Sequence, residues 1–158
     1  MKNFFACLLL ALLSACGFHL QGRTALPAAL RIVLLEADDP QTDFAFSLQQ
    51  SLQASGTTVT TAAKAGATVI RIERDQLIER VLAVSSRNIP REYELTYHVR
   101  LSVRQGDKEL LAGRDYELSR DFSFDERAVL AKEREKELLR RALAQDLAAT
   151  VLRQLSSL

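Results

Sequence analysis

The sequence predicts an α+β fold, in which two helices pack on one face of a mixed or antiparallel sheet of about four strands to form a two-layer sandwich. Apolar and polar side chains alternate strictly over residues 93–104, which is typical of a strand with one buried face. Apolar residues recur four positions apart over residues 44–52 and 139–155, which predicts two amphipathic helices. Strand-like runs occupy most of the chain between these helices, so strands and helices are segregated.

The first elements are predicted to be a strand, a helix and a short strand. The compact apolar run over residues 30–36 predicts a strand that is buried on both faces. Residues 38–40 (Asp-Asp-Pro) place capping carboxylates before a proline, which signals the start of the helix over residues 44–52. Gly56 stands where a C-terminal cap of that helix belongs, and the β-branched residues 57–62 predict the short strand.

The middle of the chain predicts two long strands joined by a loop. Residues 68–84 are rich in apolar and β-branched side chains and indicate a strand, which is either continuous, bulged or divided in two. Residues 85–91 form a polar loop that contains Arg87 and Arg91. The alternating strand begins directly after this loop, at residue 93.

The last elements are predicted to be a returning strand and a long helix. Residues 105–108 (Gln-Gly-Asp-Lys) supply a turn, and four apolar side chains after it suit the second strand of a hairpin: Leu110, Ala112, Tyr116 and Leu118. Ser123 and Glu126 resemble a capping box, beyond which a helix runs to about residue 156. The first half of this helix is charged and its second half carries the apolar stripe.

Composition excludes several functional classes. The chain has 158 residues with 21 Lys+Arg against 20 Asp+Glu, which fits one domain and gives no bulk attraction to nucleic acid. The two histidines, His19 and His98, have no second His or Cys at the spacing that a zinc site requires. There is no G-x-S-x-G elbow, no glycine-rich phosphate loop and no CxxC pair. We therefore predict a protein that is not an enzyme and that uses neither a metal nor a cofactor.

The N-terminus has the three-part pattern of a secretory signal peptide. Lys2 is followed by an uninterrupted apolar run over residues 4–13, which is shorter than the ~20 apolar residues that a membrane-spanning helix needs. Residues 13–16 (Leu-Ser-Ala-Cys) resemble the lipobox of bacterial lipoproteins, in which the cysteine becomes the lipidated first residue of the mature chain. The alternative is an ordinary signal peptide with a cysteine that merely lies near its cleavage site.

The lipobox divides the chain into three parts. Residues 1–15 are predicted to be the signal peptide, residues 16–29 a lipidated N-terminus and tether, and residues 30–158 a single domain. Acyl chains on Cys16 would hold the protein in a membrane, and Gly17 at the next position resembles the sorting signal for the outer membrane. We therefore expect a lipid-anchored domain on the periplasmic side of the outer membrane.

Basic residues are the remaining candidates for a binding site. Arg87 and Arg91 lie in the polar loop, and Lys132 lies at the start of the last helix. A guanidinium group binds phosphate oxygens with two hydrogen bonds, which suits an anionic glycolipid head group. For any single residue, a solvated surface balanced by neighbouring glutamates is the simpler interpretation. Five further arginines lie on the predicted strands: Arg71, Arg74, Arg80, Arg100 and Arg104.

Residues 16–22 (Cys-Gly-Phe-His-Leu-Gln-Gly) resemble the start of the mature proteins of the LptE family of LPS-assembly lipoproteins, which open with Cys-Gly, an aromatic residue and His-Leu. Weaker matches follow in the expected order: Leu26-Pro27, Ile32 to Leu35, Asp39-Pro40, Ser86-Arg87-Asn88, Glu92-Tyr93, Gly113-Arg114-Asp115, Arg120-Asp121-Phe122 and Ala131-Lys132-Glu133. The resemblance covers nearly the whole mature chain.

This resemblance implies an outer-membrane lipoprotein whose α/β sandwich lies in the lumen of a β-barrel, LptD, and plugs it. The two proteins would together place lipopolysaccharide in the outer leaflet. The family's lipopolysaccharide-binding positions correspond here to Arg87 and Lys132, with Arg91 beside them. Residues 89–91 (Ile-Pro-Arg) replace a more flexible, glycine-containing stretch of the family. The polar side of the alternating strand suits such a role, because barrel lumens are lined by polar residues, although it would equally suit exposure to solvent.

Two other functions stay open from the sequence. One is a different periplasmic lipoprotein, such as a pilotin for another outer-membrane pore. The other is a lipid-tethered envelope hydrolase, which would require a catalytic group that no motif in the chain identifies.

Overall fold

The computed structural model describes residues 25–124 and 128–158 and confirms the α+β architecture. The predicted signal peptide, Cys16, His19 and most of the predicted tether lie outside the described residues. The elements, in chain order, are β1 (Ile32–Ala37), α1 (Asp43–Ala54), β2 (Thr58–Thr60), β3 (Thr68–Val84), β4 (Pro90–Gln105), β5 (Lys108–Ser123) and α2 (Val129–Leu155). A single turn of 3₁₀ helix over Ala28–Leu30 precedes β1.

The sheet is mixed and has five strands in the order β2-β1-β3-β4-β5, where about four were predicted. β1 pairs in parallel with both β2 and β3, and the helix α1 makes the crossover that a parallel neighbour requires. β3, β4 and β5 then pair antiparallel as an uninterrupted meander. β2 is the short strand predicted over residues 57–62; it is only three residues long and lies at one edge of the sheet.

β3 is one continuous strand of 17 residues that contains bulges, which settles the alternatives left open by the sequence. The register of β3 on β4 shifts between Ile72 and Arg74 and again between Val81 and Ala83. Because residues paired across antiparallel strands share a face, the first shift moves Asp75 to the side that carries the buried Val99. A single period-two pattern therefore does not run through this strand.

The core lies between the helices and one face of the sheet. Twelve side chains in it are the largest of those that are less than 2% exposed: Phe44, Leu30, Leu48, Leu52, Ile70, Leu95, Leu101, Leu143, Leu155, Val33, Val99 and Val103. They include Leu95, Val99, Leu101 and Val103 from the predicted apolar side of β4 and members of the predicted stripes of both helices. Burying such a side chain stabilises a fold by about 1.5–3 kcal/mol, so this layer supplies the main driving force for folding.

The helix ends differ in part from the prediction. Thr42, and not the carboxylates before it, caps α1, because its Oγ1 accepts a hydrogen bond from the Ala45 amide at 3.1 Å. Asp39 accepts instead from the Gln41 amide at 2.8 Å. The C-terminal prediction is confirmed: Gly56 has a φ of +89° and donates to the Gln53 carbonyl at 3.0 Å, which closes the helix with the expected left-handed residue.

The predicted capping box of α2 is wrong. Ser123 is the last residue of β5, and the N-cap position is Ala128, which makes no side-chain cap hydrogen bond. Glu126 lies outside the described residues. No helix among the residues described here is both long enough and apolar enough to cross a membrane.

The returning strand also departs from the predicted pattern at one point. Leu101 pairs with Arg114, but Val103 pairs with Leu111, so β5 has an extra residue opposite Ser102. Leu110 and Leu111 therefore both pack against the core, whereas Ala112, which was predicted to face inward, is exposed.

Candidate functional site

The three long strands β3, β4 and β5 have two chemically different faces. One packs under the helices, and the other is free of helices and carries almost only polar side chains. On β4 the helix-free side chains are Glu94, Thr96, His98, Arg100, Ser102 and Arg104, as the alternation predicted. Their cross-strand partners are mostly charged as well, which makes this a polar surface as long as the strands themselves.

Ion pairs centred on Arg100 organise this helix-free face. The Arg100 Nε donates to Glu73 Oε2 at 3.0 Å, and its Nη1 contacts Asp115. Asp115 also lies 3.6 Å from Arg74 Nη1. A hydrogen bond from Ser102 and the guanidinium of Arg100 together hold the pKa of Glu73 below its usual value. The groups are substantially exposed, so the network organises the surface and adds little to stability.

Gly113 makes room for this network. A Cβ atom built at Gly113 would lie 2.9 Å from Arg100 Nη2 and 3.2 Å from Glu73 Oε2. The bulge in β5 thus brings a residue without a side chain directly beneath the guanidinium, and any larger residue would displace it.

The same face continues toward the β3–β4 turn with two more pairs. Arg80 Nη2 donates to Glu94 Oε1 at 2.7 Å, and His98 Nδ1 lies 3.3 Å from Glu117 Oε2. Three of the five strand arginines noted in the sequence, Arg74, Arg80 and Arg100, are therefore engaged by carboxylates on this face. They belong to the polar surface and not to a separate basic cluster.

Arg87 lies in a tightly built turn between β3 and β4. The Ser85 amide donates to the Ile89 carbonyl at 2.7 Å, and the Asn88 amide donates to the Ser85 carbonyl at 2.9 Å. Asn88 has a φ of +58°, a left-handed conformation that asparagine tolerates better than most residues. Asn88 therefore supplies the positive φ that this turn requires without a glycine, and Arg87 projects from it as an exposed side chain.

Arg91 lies next to this turn, at the start of β4. Its carbonyl accepts a hydrogen bond from the Phe124 amide at 2.7 Å, which ties the end of β5 to the same place, while its side chain is exposed. Within residues 25–124 and 128–158, neither Arg87 nor Arg91 has a carboxylate within 4.0 Å. Both guanidinium groups are thus available to an anionic ligand.

Lys132 lies at the same end of the domain, but unlike the two arginines it is largely buried and hydrogen bonded. Its side chain is only 19% exposed, and its Nζ donates to Glu135 Oε2 at 2.7 Å and to Ser123 Oγ at 3.4 Å. The structure thus brings the three predicted basic residues to one end, which we call the basic end: Arg87, Arg91, Lys132 and the strand ends beside them. Among the described residues, two of the three have no carboxylate partner, and the third already links α2 to β5.

Exposed apolar side chains flank the basic end, a feature that the sequence analysis missed. Val81 and Val84 near the end of β3 are 46% and 51% exposed, and Leu130 at the start of α2 is 79% exposed. Tyr93 stacks on Phe122 beside them, with ring centroids 5.3 Å apart. The signal was present in the sequence: the first half of α2 is charged, so it offers no apolar stripe to cover the end of β3.

Asp75 is a polar residue on the helix-covered side of the sheet, apart from the polar helix-free face. Thr42 Oγ1 donates to Asp75 Oδ2 at 2.5 Å, and the nearby Tyr97 hydroxyl accepts a hydrogen bond from the Phe44 amide at 3.4 Å. Burial raises the pKa of Asp75 above its usual value, and burial together with the Asp75 charge raises that of Tyr97. The cleft beside Asp75 measures about 240 Å³ and is largely acidic, with Asp38, Asp39 and Glu73 in its wall. The hydrogen bond between Thr42 and Asp75 connects the start of α1 to β3.

Metal ligands do not converge anywhere in the part of the chain that the structure describes. His98, the histidine within that part, uses Nδ1 toward Glu117. The arrangement offers charged and apolar binding surfaces.

Three comparisons with known proteins agree with one another. Residues 30–155 match the family model described as LptE, lipopolysaccharide-assembly. The LPS-assembly lipoprotein LptE of Yersinia pestis (strain Pestoides F) is 30% identical over 148 residues, covering 90% of this chain and 69% of that protein. The same values hold for the protein of that name from Yersinia pseudotuberculosis serotype O:1b.

Solved structures resemble the whole domain. The rare lipoprotein B from Shewanella oneidensis superposes with a TM-score of 0.69 at 28% identity, over 80% of this chain and 94% of that one. A lipoprotein B from Nitrosomonas europaea reaches a TM-score of 0.73 at 26% identity, over 89% and 91% of the two chains. The fold described above is therefore one that relatives with a lipoprotein name share.

Proposed function

Because this chain belongs to the LptE family of lipopolysaccharide-assembly lipoproteins, we propose that it is a lipid-anchored subunit of the machinery that inserts lipopolysaccharide into the outer membrane. In this proposal Cys16 carries the acyl chains, the LptD β-barrel is the protein partner, and the domain lies in the barrel lumen. Lipopolysaccharide is the ligand, and no catalytic step is assigned to the chain.

The observation that carries the barrel partnership is the polar, helix-free face of β3–β5. A domain that fills a barrel lumen must present polar side chains to polar walls, and this face does so along strands of 16 and 17 residues. Its charges are balanced locally by pairs such as Arg100–Glu73 and Arg80–Glu94. A polar face whose charges are paired can be buried in a lumen without placing an unpaired charge there.

The basic end supports lipopolysaccharide as the ligand. Arg87 and Arg91 supply two exposed guanidinium groups that no carboxylate in residues 25–124 and 128–158 engages, and these suit the phosphates of a glycolipid head group. The exposed Val81, Val84 and Leu130 beside them can contact the acyl part of the same molecule. Lys132 would contribute by adding a positive potential and by holding α2 in place, since its ammonium group is already hydrogen bonded.

The anchor contributes by raising the local concentration of the domain at the membrane. A triacylated cysteine has more than the two acyl chains that stable anchoring needs, at ~0.8 kcal/mol per buried CH₂. Tethering makes the encounter with a barrel in the same membrane effectively intramolecular, so a modest interface suffices.

Purification of the full chain from detergent-solubilised membranes tests this function. A C-terminal tag should recover a single β-barrel of the LptD family in roughly equal amount, and lipopolysaccharide with it. Recovery of another outer-membrane pore would instead favour the pilotin alternative, and recovery of the chain alone would contradict the proposal. Mass spectrometry of the recovered chain should show an N-terminal Cys16 that carries acyl chains.

A further inference from the structure

A groove runs between the outer edge of β5 and the C-terminal half of α2. β5 lies at the end of the sheet order and pairs only with β4, so the backbone groups on its other side have no strand partner among the described residues. The groove measures about 500 Å³ and is open to solvent. Thr150, Arg153 and Ser157 of α2 line it together with β5 residues 114–117, which means that the helix overhangs the strand edge.

Two arginines in this groove have no carboxylate partner in the part of the chain that the structure describes. The Arg114 guanidinium lies 5.8 Å from the centre of the Tyr116 ring and donates to Gln154 Oε1 at 3.2 Å, and Arg153 Nη2 donates to Thr150 Oγ1 at 2.8 Å. Neither lies within 4.0 Å of an acidic group in residues 25–124 and 128–158. The Tyr116 hydroxyl is buried and has no hydrogen-bond partner there.

The nearby carboxylates are turned away from these arginines. Asp115 is held by Arg100 and Arg74 on the helix-free face, and Glu117 lies 3.3 Å from His98 on that same face. Asp115 and Glu117 also border the groove, but their carboxylates already pair with cations on the helix-free face. A ligand that enters the groove therefore meets two guanidinium groups that no carboxylate among the described residues engages.

An exposed strand edge recruits another strand unless something blocks it. β5 contains a bulge near Gly113 but no proline, and the stretch beside the groove is regularly paired on its inner side. An extended peptide placed along this edge would direct alternate side chains into the groove, next to Arg114 and Arg153. Strand addition of this kind takes its affinity from the backbone and its specificity from such side-chain pockets.

We infer that the β5 edge and the arginine groove bind an extended segment of the barrel partner that carries carboxylate side chains. The inference rests on the proposed function for the identity of the partner. The segment must lie outside the barrel wall, because strands in a closed wall have both edges paired. A loop or a terminal extension of the barrel protein meets this condition.

The test compares two double variants of the full chain that carry the same change in charge. Arg114→Glu with Arg153→Glu places negative charge in the groove, whereas Arg31→Glu with Lys64→Glu places it at exposed positions outside the groove and outside β3–β5. The groove variant should recover on the order of tenfold less barrel protein at limiting concentration, as expected when charge complementarity is reversed, and the control variant should match the wild type. Arg114→Gln with Arg153→Gln should give an intermediate loss, and circular dichroism should show that each variant is folded.

Hydrogen exchange supplies a second readout. In the purified complex, the amides of β5 should exchange more slowly than in the isolated full chain, with the largest change over residues 114–117. Unchanged β5 exchange in an intact complex, together with full recovery by the groove variant, would overturn the inference and leave the proposed function standing. Failure of the wild type to recover any barrel would remove both. Slow β5 exchange that depends only on the concentration of the isolated chain would identify a second copy as the occupant and would also overturn the inference.

Discussion

The two halves of helix α2 belong to one continuous helix but have different surroundings. The C-terminal half buries Leu143, Leu147, Val151 and Leu155 against the sheet. The N-terminal half contacts the sheet through Lys132, which bonds to Ser123, and through Lys136, which pairs with Glu79. One half of the helix therefore stabilises the domain, while the other presents charged and apolar groups at the basic end.

The difference teaches that stability and recognition are separated along the long axis of this fold. The buried half offers no group to a ligand at the basic end, and the exposed half contributes little to the core. A change in one half should therefore alter folding without altering ligand binding, and a change in the other should do the reverse. The following predictions test this separation, in order of decreasing effect.

Truncation in the buried half should produce the largest loss of stability. Leu143 is fully buried, and Leu143→Ala should lower the free energy of unfolding by about 2–5 kcal/mol, because it removes apolar contacts and leaves a cavity. Leu138, five residues earlier and 66% exposed, is the matched control, and Leu138→Ala should change that free energy by about 0.5 kcal/mol or less. Urea denaturation measures both, and equal losses would contradict the separation.

Charge reversal at the basic end should weaken ligand binding without unfolding the domain. Arg87→Glu with Arg91→Glu should reduce the affinity for lipopolysaccharide on the order of tenfold, or about 1.4 kcal/mol, because two phosphate contacts become repulsive. The free energy of unfolding should stay within about 0.5 kcal/mol of the wild type, as for other surface changes. A pull-down with labelled glycolipid measures the affinity, with Lys64→Glu and Lys108→Glu as the control for net charge.

Lys132 should contribute both to the stability of the domain and to lipopolysaccharide binding. Lys132→Gln removes the charge while retaining a hydrogen-bond donor near Ser123, so it should cost roughly 1 kcal/mol of stability or less. Its effect on lipopolysaccharide binding should be smaller than that of the two arginines, because the ammonium group already has partners. A loss of affinity from Lys132→Gln that exceeds the loss from the arginine pair would show that the partnered lysine dominates recognition.

Asp75 should give the core layer a weak dependence on pH. Its folded-state pKa is raised, so folding favours the protonated carboxyl, and this contribution is complete below the unfolded pKa and is lost as pH rises through the folded pKa. Stability from this group should therefore fall as pH increases above about 4, the usual pKa of aspartate. Asp75→Asn should remove that slope in denaturation curves measured across this range. An unchanged slope would mean that another group is responsible.

The sequence alone predicts much of the fold because its strongest patterns coincide with its best-buried elements. The alternation over residues 93–104 and the leucine stripe of α2 both describe faces that the structure buries. The features of the fold that the sequence does not predict depend on tertiary contacts. The bulge that brings Asp75 to the helix-covered side depends on pairing with β4, and the Thr42 cap depends on where the chain enters α1.

The sequence predicts only part of the candidate site, again because the rest depends on tertiary contacts. The three basic residues come from separate elements, and the resemblance to a family, not their spacing, singled out Arg87 and Lys132. No local pattern distinguishes the exposed guanidinium of Arg87 from the partnered ammonium of Lys132, because the partners Ser123 and Glu135 are selected by packing. The charged first half of α2 indicates that some apolar side chains stay uncovered, but only the packing of α2 shows that they are Val81, Val84 and Leu130 at the basic end.

Photo-cross-linking to lipopolysaccharide tests the central claim, that the basic end is the recognition surface. Benzoylphenylalanine replaces Val84, which is 51% exposed at the basic end, or Leu158, which is 40% exposed beyond the buried half of α2. In membranes that contain the full chain and its barrel, we predict strong adducts with lipopolysaccharide from position 84 and weak or absent adducts from position 158. Adducts from position 158 alone would contradict the account.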